Sequence, residues 1–324
     1  MNKVYLIGAG SGDPELLTLK GLRLLKKADV VIYDRLANPI LLYLTNENSE
    51  LIDAGKSPAA HKQTQNQIEA RLIKEARCGK QVVRLKGGDP SIFGRVGEEL
   101  LALRAAGVAY EVVPGITAAS GASIYADIPI TQRQIAERVL MITPRQTLVD
   151  LFETDFKKIL RDTTVVLYMG VSSLDLVASI LRKQQVEKTM PIAIIENGTR
   201  GYQRTLTTKL ADFEMLIKNQ EIINPALIII GRAVTVRQGE SWFESLPKFQ
   251  EQLLVVTDQI PTLAEISEYT SEGADVWFTI VGARRQARFN SLDRENLNRN
   301  FSEIILKNNA TIEALEKLKK QLGV

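Results

Sequence analysis

Short runs of Val, Ile and Leu alternate along this chain with longer stretches in which apolar residues return every three or four positions. That alternation is the pattern of an α/β protein. Strands are predicted at Val4–Ile7, Val30–Tyr33, Gln81–Leu85, Tyr110–Val113, Val139–Ile142, Thr164–Tyr168, Ile192–Ile195 and Ala226–Ile230. One helix is predicted over Pro14–Ala28. Asp13 can cap it, Pro14 suits its first position, and Leu22, Leu25 and Ala28 form an apolar stripe while Lys20, Arg23 and Lys27 face water. A second is predicted over Thr64–Cys78, ended by Gly79.

The turn at Val113-Pro114-Gly115 closes a first α/β unit, residues 1–114, and a second follows over 115–246. Pro247–Gln250 reads as a linker to an extension, 247–324, of different texture. The extension offers strands at Leu253–Val256 and Val276–Val281, a polar stretch over Ala283–Asn300, and a closing helix with a stripe of Ile312, Leu315, Leu318 and Leu322. Two short strands are too little for a separate core, so the stripe should be buried on the body of the protein or across a dimer.

Composition narrows the chemistry. The 324 residues are 45% apolar and 24% charged, and Lys and Arg exceed Asp and Glu by only three, 41 against 38, which gives no basis for a nucleic-acid partner. One cysteine, Cys78, and one histidine, His61, exclude an internal disulfide, a thiolate metal site and a multi-histidine site, so no metal is expected. Met1-Asn2-Lys3 leads straight into a strand, and the longest apolar runs fall far short of the roughly 18 residues of a membrane span. A cytoplasmic protein with no membrane partner is expected.

Three loops rich in small residues follow predicted strands: Gly8-Ala9-Gly10-Ser11-Gly12-Asp13, Gly87-Gly88-Asp89-Pro90, and Pro114-Gly115-Ile116-Thr117-Ala118-Ala119-Ser120-Gly121. Glycine after a strand lets a ligand approach the backbone, and ligands of open α/β sheets bind at the carboxyl ends of strands. The dinucleotide fingerprint G-x-G-x-x-G fails at its third glycine, where Asp13 stands, and no phosphate-loop order is present. Singly, each loop also fits a tight turn; together they point to a binding cleft.

Further stretches match a known pattern: Tyr33-Asp34-Arg35-Leu36, Val82–Pro90 with Phe93-Gly94-Arg95, Leu167-Tyr168-Met169-Gly170, Glu196-Asn197-Gly198-Thr199 and Ile228–Arg232. With the glycine loops, and in this order, they make the chain from about Lys3 to Trp242 resemble the tetrapyrrole methylases, and within them the branch acting on uroporphyrinogen III. The resemblance implies two consecutive α/β domains with the active site in the cleft between them, a homodimer, and S-adenosyl-L-methionine as methyl donor with S-adenosyl-L-homocysteine as product. The implied reaction is C-methylation of uroporphyrinogen III at C2 and C7, through precorrin-1 to precorrin-2, which feeds sirohaem or cobalamin synthesis. By position, the implied cofactor contacts are Ser11, Gly87, Gly88, Asp89, Ile92, Thr117, Ala118, Met169 and Gly198. Asp34 is the implied proton acceptor and Lys56 the proton donor.

That chemistry suits those residue types. A sulfonium methyl is already electrophilic, so alignment matters most, and moving protons on the macrocycle suits a carboxylate and an ammonium. A carboxylate-rich substrate calls for cations, and Arg35, Arg95 and Arg133 are the candidates, with Arg84 and Lys86 beside them. The chain departs from the family pattern at Ser11 (usually proline), Ser91 (phenylalanine), Val96 (glycine), and at Gln132 and Arg145, where histidines are usual. Two other readings stay open: a methylase of a later corrin precursor, and a non-catalytic homologue that binds tetrapyrrole or cofactor. The extension resembles pieces of uroporphyrinogen-III synthase at Leu253–Thr257 and Ala274–Ala283, which implies a shortened remnant without synthase activity.

Overall fold

The apolar runs of the first third become five parallel strands: β1 (Val4–Gly8), β2 (Val30–Tyr33), β3 (Glu50–Asp53), β4 (Val82–Lys86) and β5 (Tyr110–Val113), in the order β3-β2-β4-β1-β5. The computed structural model describes residues 3–55, 64–144 and 155–324. It divides into two units, Met1–Thr117 together with Lys248–Val324, and Ala118–Pro247.

In the first unit both faces of the sheet are covered, as parallel sheets require. Val4, Leu6, Val30, Ile32 and Val82 pack on one face against Ile68, Leu72, Ala76 and Leu103. Ile7, Val31, Val83, Leu85 and Val113 face the other way, toward Leu25 and a 3-10 helix, Pro39–Leu44. The helix expected over Pro14–Ala28 is broken in two, a 3-10 turn Pro14–Leu16 and α1 (Leu19–Leu25). Asp13 caps the first piece through Glu15 N, but buried Leu17 is extended and Thr18 starts a new cap on Gly21 N at 3.1 Å. A threonine cap one residue past a core leucine overrides the helical continuation. The second expected helix is α2 (Gln65–Arg77), capped by Thr64 with a reciprocal bond from Gln67; α3 (Val96–Ala105) lies beyond it in sequence.

The second unit carries a mixed sheet of β6 (Arg138–Ile142), β7 (Thr163–Leu167), β8 (Pro191–Glu196), β9 (Arg204–Lys209) and β10 (Ala226–Ile230) in the order β6-β7-β10-β8-β9. Only β6 and β7 run parallel; β10 is antiparallel to both β7 and β8, and β9 to β8. α4 (Ala118–Tyr125) lays Ala119 and Ala122 on Val166, Ala193, Ile195 and Ile229. The opposite face packs on the helix Leu174–Lys183 through Leu174, Val177, Ile180 and Leu181.

The extension holds three strands rather than two: β11 (Gln252–Thr257), β12 (Asp275–Ile280) and β13 (Glu303–Leu306), parallel in the order β12-β11-β13. The stretch read as polar contains a helix, Asn290–Asn296, which buries Asp293 and Asn296 beside Leu292. Asp293 there accepts from Trp277 Nε1 and Thr279 Oγ1, both at 3.0 Å, and pairs with Arg285 at 2.8 Å. Burial pushes the Asp293 carboxyl up despite Arg285 and those hydrogen bonds. The closing helix Ile312–Leu322 buries Leu315, Leu318 and Leu322 as expected, whereas Ile312, in its first turn, is 44% exposed. The core of the extension is continuous with the face of the first sheet that carries Ile40–Leu44.

Candidate functional site

The three glycine loops, far apart in sequence, meet at the carboxyl ends of β1, β4 and β5. Gly10 and Gly88 form an isolated bridge, with Gly88 N donating to Gly10 O at 2.8 Å and Gly10 N to Gly88 O at 3.3 Å. A β-carbon on Gly8 would lie 2.6 Å from Gly88 O and 2.7 Å from Gly115 Cα, and one on Gly115 only 2.3 Å from Gly88 O. Only glycine lets three backbones come this close. Asp89 ties the third loop to the second. Its Oδ2 accepts from Gly115 N at 2.9 Å, and its Oδ1 accepts from Ser91 N at 2.7 Å and Ser91 Oγ at 2.5 Å. Partial burial pushes this carboxyl up, but the bonds from Ser91 and Gly115 outweigh it and leave it below its ordinary value. Ser91, where phenylalanine is usual, thus has a use here as a second donor to Asp89.

Asp34 follows β2 directly. Its Oδ1 accepts from Arg84 Nη2, while its Oδ2 takes no hydrogen bond among the described residues and the side chain is 31% exposed. Arg84 and Lys86 share the face of β4 that turns to α3, and both reach Glu99 on that helix. Arg84 Nε lies 3.0 Å and Lys86 Nζ 3.1 Å from Glu99 Oε1. All three are buried, and Glu99 Oε2 has no partner among the described residues. Burial lowers the affinity of Lys86 for its proton, the charge of Arg84 adds to this, and Glu99 opposes it. Arg84 and Lys86 are therefore internal counter-ions, not cations lining a substrate site. Their spacing by two puts both charges on one face of an otherwise apolar strand, and the packing of α3 supplies the buried acid that meets them.

The Asp34 loop is held by its neighbours. Asp34 N donates to Leu85 O at 2.9 Å, and Asn38 Nδ2 to Gly12 O at 2.7 Å. Leu36 lies over Gly87, where a β-carbon would come within 2.7 Å of Leu36 Cβ. Ser11 and Ile92 are half-buried within the same set of loops. Arg35 is exposed, and Arg95, in the left-handed region at φ 55°, forms a fork with Glu98 at 2.8 and 2.6 Å. Lys56 and His61 lie outside the described residues, as does Arg145.

In the second unit, Ala119 N donates to Tyr168 Oη at 2.9 Å, which fastens the start of α4 to the end of β7. Met169 follows, 54% exposed with φ 54°, so it is not a core methionine. Gly198 presses on α4, where a β-carbon would lie 2.2 Å from Ala122 Cβ. Ala118 thus opens α4, Met169 follows the tyrosine bonded to its first turn, and Gly198 packs on its middle, while Arg133 is exposed in the turn closed by Gln132 and Ala136. Thr117, half-buried, ends the first unit. Sequence reasoning did not single out Glu99, and it gave no role to Ser91 or Tyr168. Among the described residues no cluster of His, Cys, Asp or Glu could hold a metal ion, and no helix is long and apolar enough to cross a membrane.

Comparison with known proteins gives consistent findings. The family model for tetrapyrrole (corrin/porphyrin) methylases matches residues 3–214. A uroporphyrinogen-III C-methyltransferase of Bacillus subtilis (strain 168) is 43% identical over 278 residues, 84% of this chain and 57% of the relative. A siroheme synthase of Pseudomonas fluorescens (strain Pf0-1) is 45% identical over 244 residues, 75% of this chain and 52% of the relative. The chain thus spans about half the length of the curated relatives it matches. Among solved structures, a uroporphyrin-III C-methyltransferase from Thermus thermophilus complexed with S-adenyl homocysteine superposes with a TM-score of 0.62 at 36% identity, over 72% of this chain and 100% of that one.

Proposed function

From the premise that the chain belongs to the tetrapyrrole methylases, we propose that it methylates uroporphyrinogen III at C2 and C7 to give precorrin-2 by way of precorrin-1. The observation that carries this reading is the cradle at Gly8, Gly88 and Gly115, stitched by Asp89, beside an aspartate with one carboxylate oxygen unbonded among the described residues. Such a cradle fits S-adenosyl-L-methionine, because a ligand can lie directly on backbone groups that no β-carbon shields. In this reading Ser11, Gly87, Gly88, Asp89, Ile92, Thr117, Ala118, Met169 and Gly198 hold the cofactor. When bound, it supplies a methyl group on an electrophilic sulfonium.

The protein's own part is alignment and proton transfer. Asp34 is fixed through Oδ1 by Arg84, so Oδ2 is the oxygen that takes a proton from the substrate. Lys56 is the proposed proton donor. Arg35, Arg95 and Arg133 hold substrate carboxylates; the fork between Arg95 and Glu98 is exposed and screened by solvent, so exchange for a substrate carboxylate costs little. The reading includes a homodimer acting in the cytoplasm, and a product available to sirohaem and cobalamin synthesis.

The test is anaerobic incubation of the full chain with uroporphyrinogen III and S-adenosyl-L-methionine. Precorrin-2 and its oxidised product are expected. Methylation confined to a later corrin precursor would replace the substrate in this reading, and cofactor binding without any methyl transfer would overturn it.

A further inference from the structure

The 3-10 helix Pro39–Leu44 follows the Asp34 loop, and Ile40, Leu41, Leu42, Tyr43 and Leu44 are all buried. Five consecutive apolar residues point around the whole circumference of a three-residue turn, so one sheet face cannot cover them. The C-terminal segment covers the far side. The Tyr43 ring stacks on Phe289 at 4.3 Å between centroids and lies 5.5 Å from Trp277, and its hydroxyl donates to Phe278 O at 2.5 Å. Arg288 Nη1 donates to Thr45 Oγ1 at 2.9 Å, Asn46 O at 2.7 Å and Ser49 O at 3.2 Å, closing the turn that leads from the 3-10 helix into β3. Apolar covering alone would need no such cation, and burial draws the Arg288 guanidinium down to about 10. Near neutrality it therefore remains charged.

A second contact has the same sense. The helix Leu263–Thr270 packs on the 3-10 turn Pro14–Leu16, the segment that leaves the Gly8–Asp13 loop. The two backed segments are joined at the site by Asn38, the cap of the 3-10 helix, which holds Gly12 O.

We propose that residues 248–324 brace the Asp34 loop: Tyr43 and Arg288 hold the 3-10 helix Pro39–Leu44, which keeps Asn38 on Gly12 and Asp34 on Arg84. Tyr43 and Arg288 are positioning residues and touch no reacting group. The effect on turnover rests on the methylase reading; the effect on the loop does not.

The test uses the full chain with Arg288→Met, the conservative Arg288→Lys, and Tyr43→Phe, which removes only a hydroxyl should Arg288→Met fold poorly. Amide hydrogen exchange over residues 34–46 should quicken about tenfold or more in Arg288→Met, because three bonds to a charged donor are lost. Over β4 and β5 it should stay unchanged. In the same variant kcat should fall severalfold while S-adenosylhomocysteine affinity and the KM for the donor hold within about twofold, and Arg288→Lys should recover part of both losses. Unchanged exchange over 34–46 with only a lower melting temperature would overturn the brace, as would a loss expressed wholly in donor affinity. If even the native chain transfers no methyl group, the exchange data still decide the brace, and the methylase reading falls alone.

Discussion

Asp34 and Arg84 form a pair that is buried on one side only. Arg84 and Glu99 are enclosed, whereas Asp34 stands at the rim with Oδ2 unbonded among the described residues. The two ends should respond differently to substitution. Asp34→Asn is expected to cost under about 1 kcal/mol of stability, as for a rim ion pair, and to abolish most turnover with S-adenosylhomocysteine affinity retained. Arg84→Met strands the enclosed Glu99 with Lys86 alone and is expected to cost about 3–5 kcal/mol. Urea denaturation read beside turnover checks both, and equal stability losses would show that the pair is not polarised in this way. Asp34 was legible in the sequence because it stands directly after a strand, within a familiar tetrad. The roles of Arg84 and Lys86 were not, because a charge on a strand reads the same whether it meets substrate or a buried acid. Only the packing of α3 brings Glu99 to them.

Among the elements, those buried on both faces were plain in the pattern, since β2 and β10 are short unbroken apolar runs. Three of the edge strands, β3, β9 and β13, were not. β9 reads Arg-Thr-Leu-Thr-Thr-Lys with a single large apolar residue, and β3 and β13 are four residues each with partly exposed side chains. An edge strand buries little, so its sequence need say little. The glycine loops were visible one by one, but their meeting depends on β4 lying beside β1, a crossover that pattern alone does not specify. Gly198 makes the point for the second unit. Gly198→Ala places a β-carbon 2.2 Å from Ala122 Cβ, so α4 or the loop must shift. A cost of about 1–3 kcal/mol is expected from overpacking, partly relieved in the double variant with Ala122→Gly because the two sites share one clash. Additive losses in denaturation would show that the loop yields without α4.

On the scale of the whole molecule, the extension changes the meaning of the first unit. Its sequence suggested an appendage whose closing helix needs cover. In the structure the need is mutual: Leu253–Val256, Trp277, Phe278, Phe289 and Leu315 share one core with Ile40–Leu44. The sequence could not show this, because the 3-10 helix reads simply as an apolar stretch, with nothing to mark which side faces the sheet. Cutting the chain after Pro247 should therefore do more than lower solubility. Each large apolar side chain returned to water forfeits about 1.5–3 kcal/mol, and several on the 3-10 helix would be uncovered at once. Against a total stability of roughly 5–15 kcal/mol, that loss leaves residues 1–247 without a cooperatively folded first unit, even though every glycine loop is still present. The isolated segment 251–324 should likewise show no cooperative transition, since its own sheet surrenders the same core. Calorimetry of the two fragments apart and then mixed distinguishes the cases. A single transition from the second unit in 1–247, a flat trace for 251–324, and a further transition recovered on mixing are expected. A second cooperative transition in 1–247 alone, with cofactor affinity intact, would show that the first unit stands without the segment packed on it.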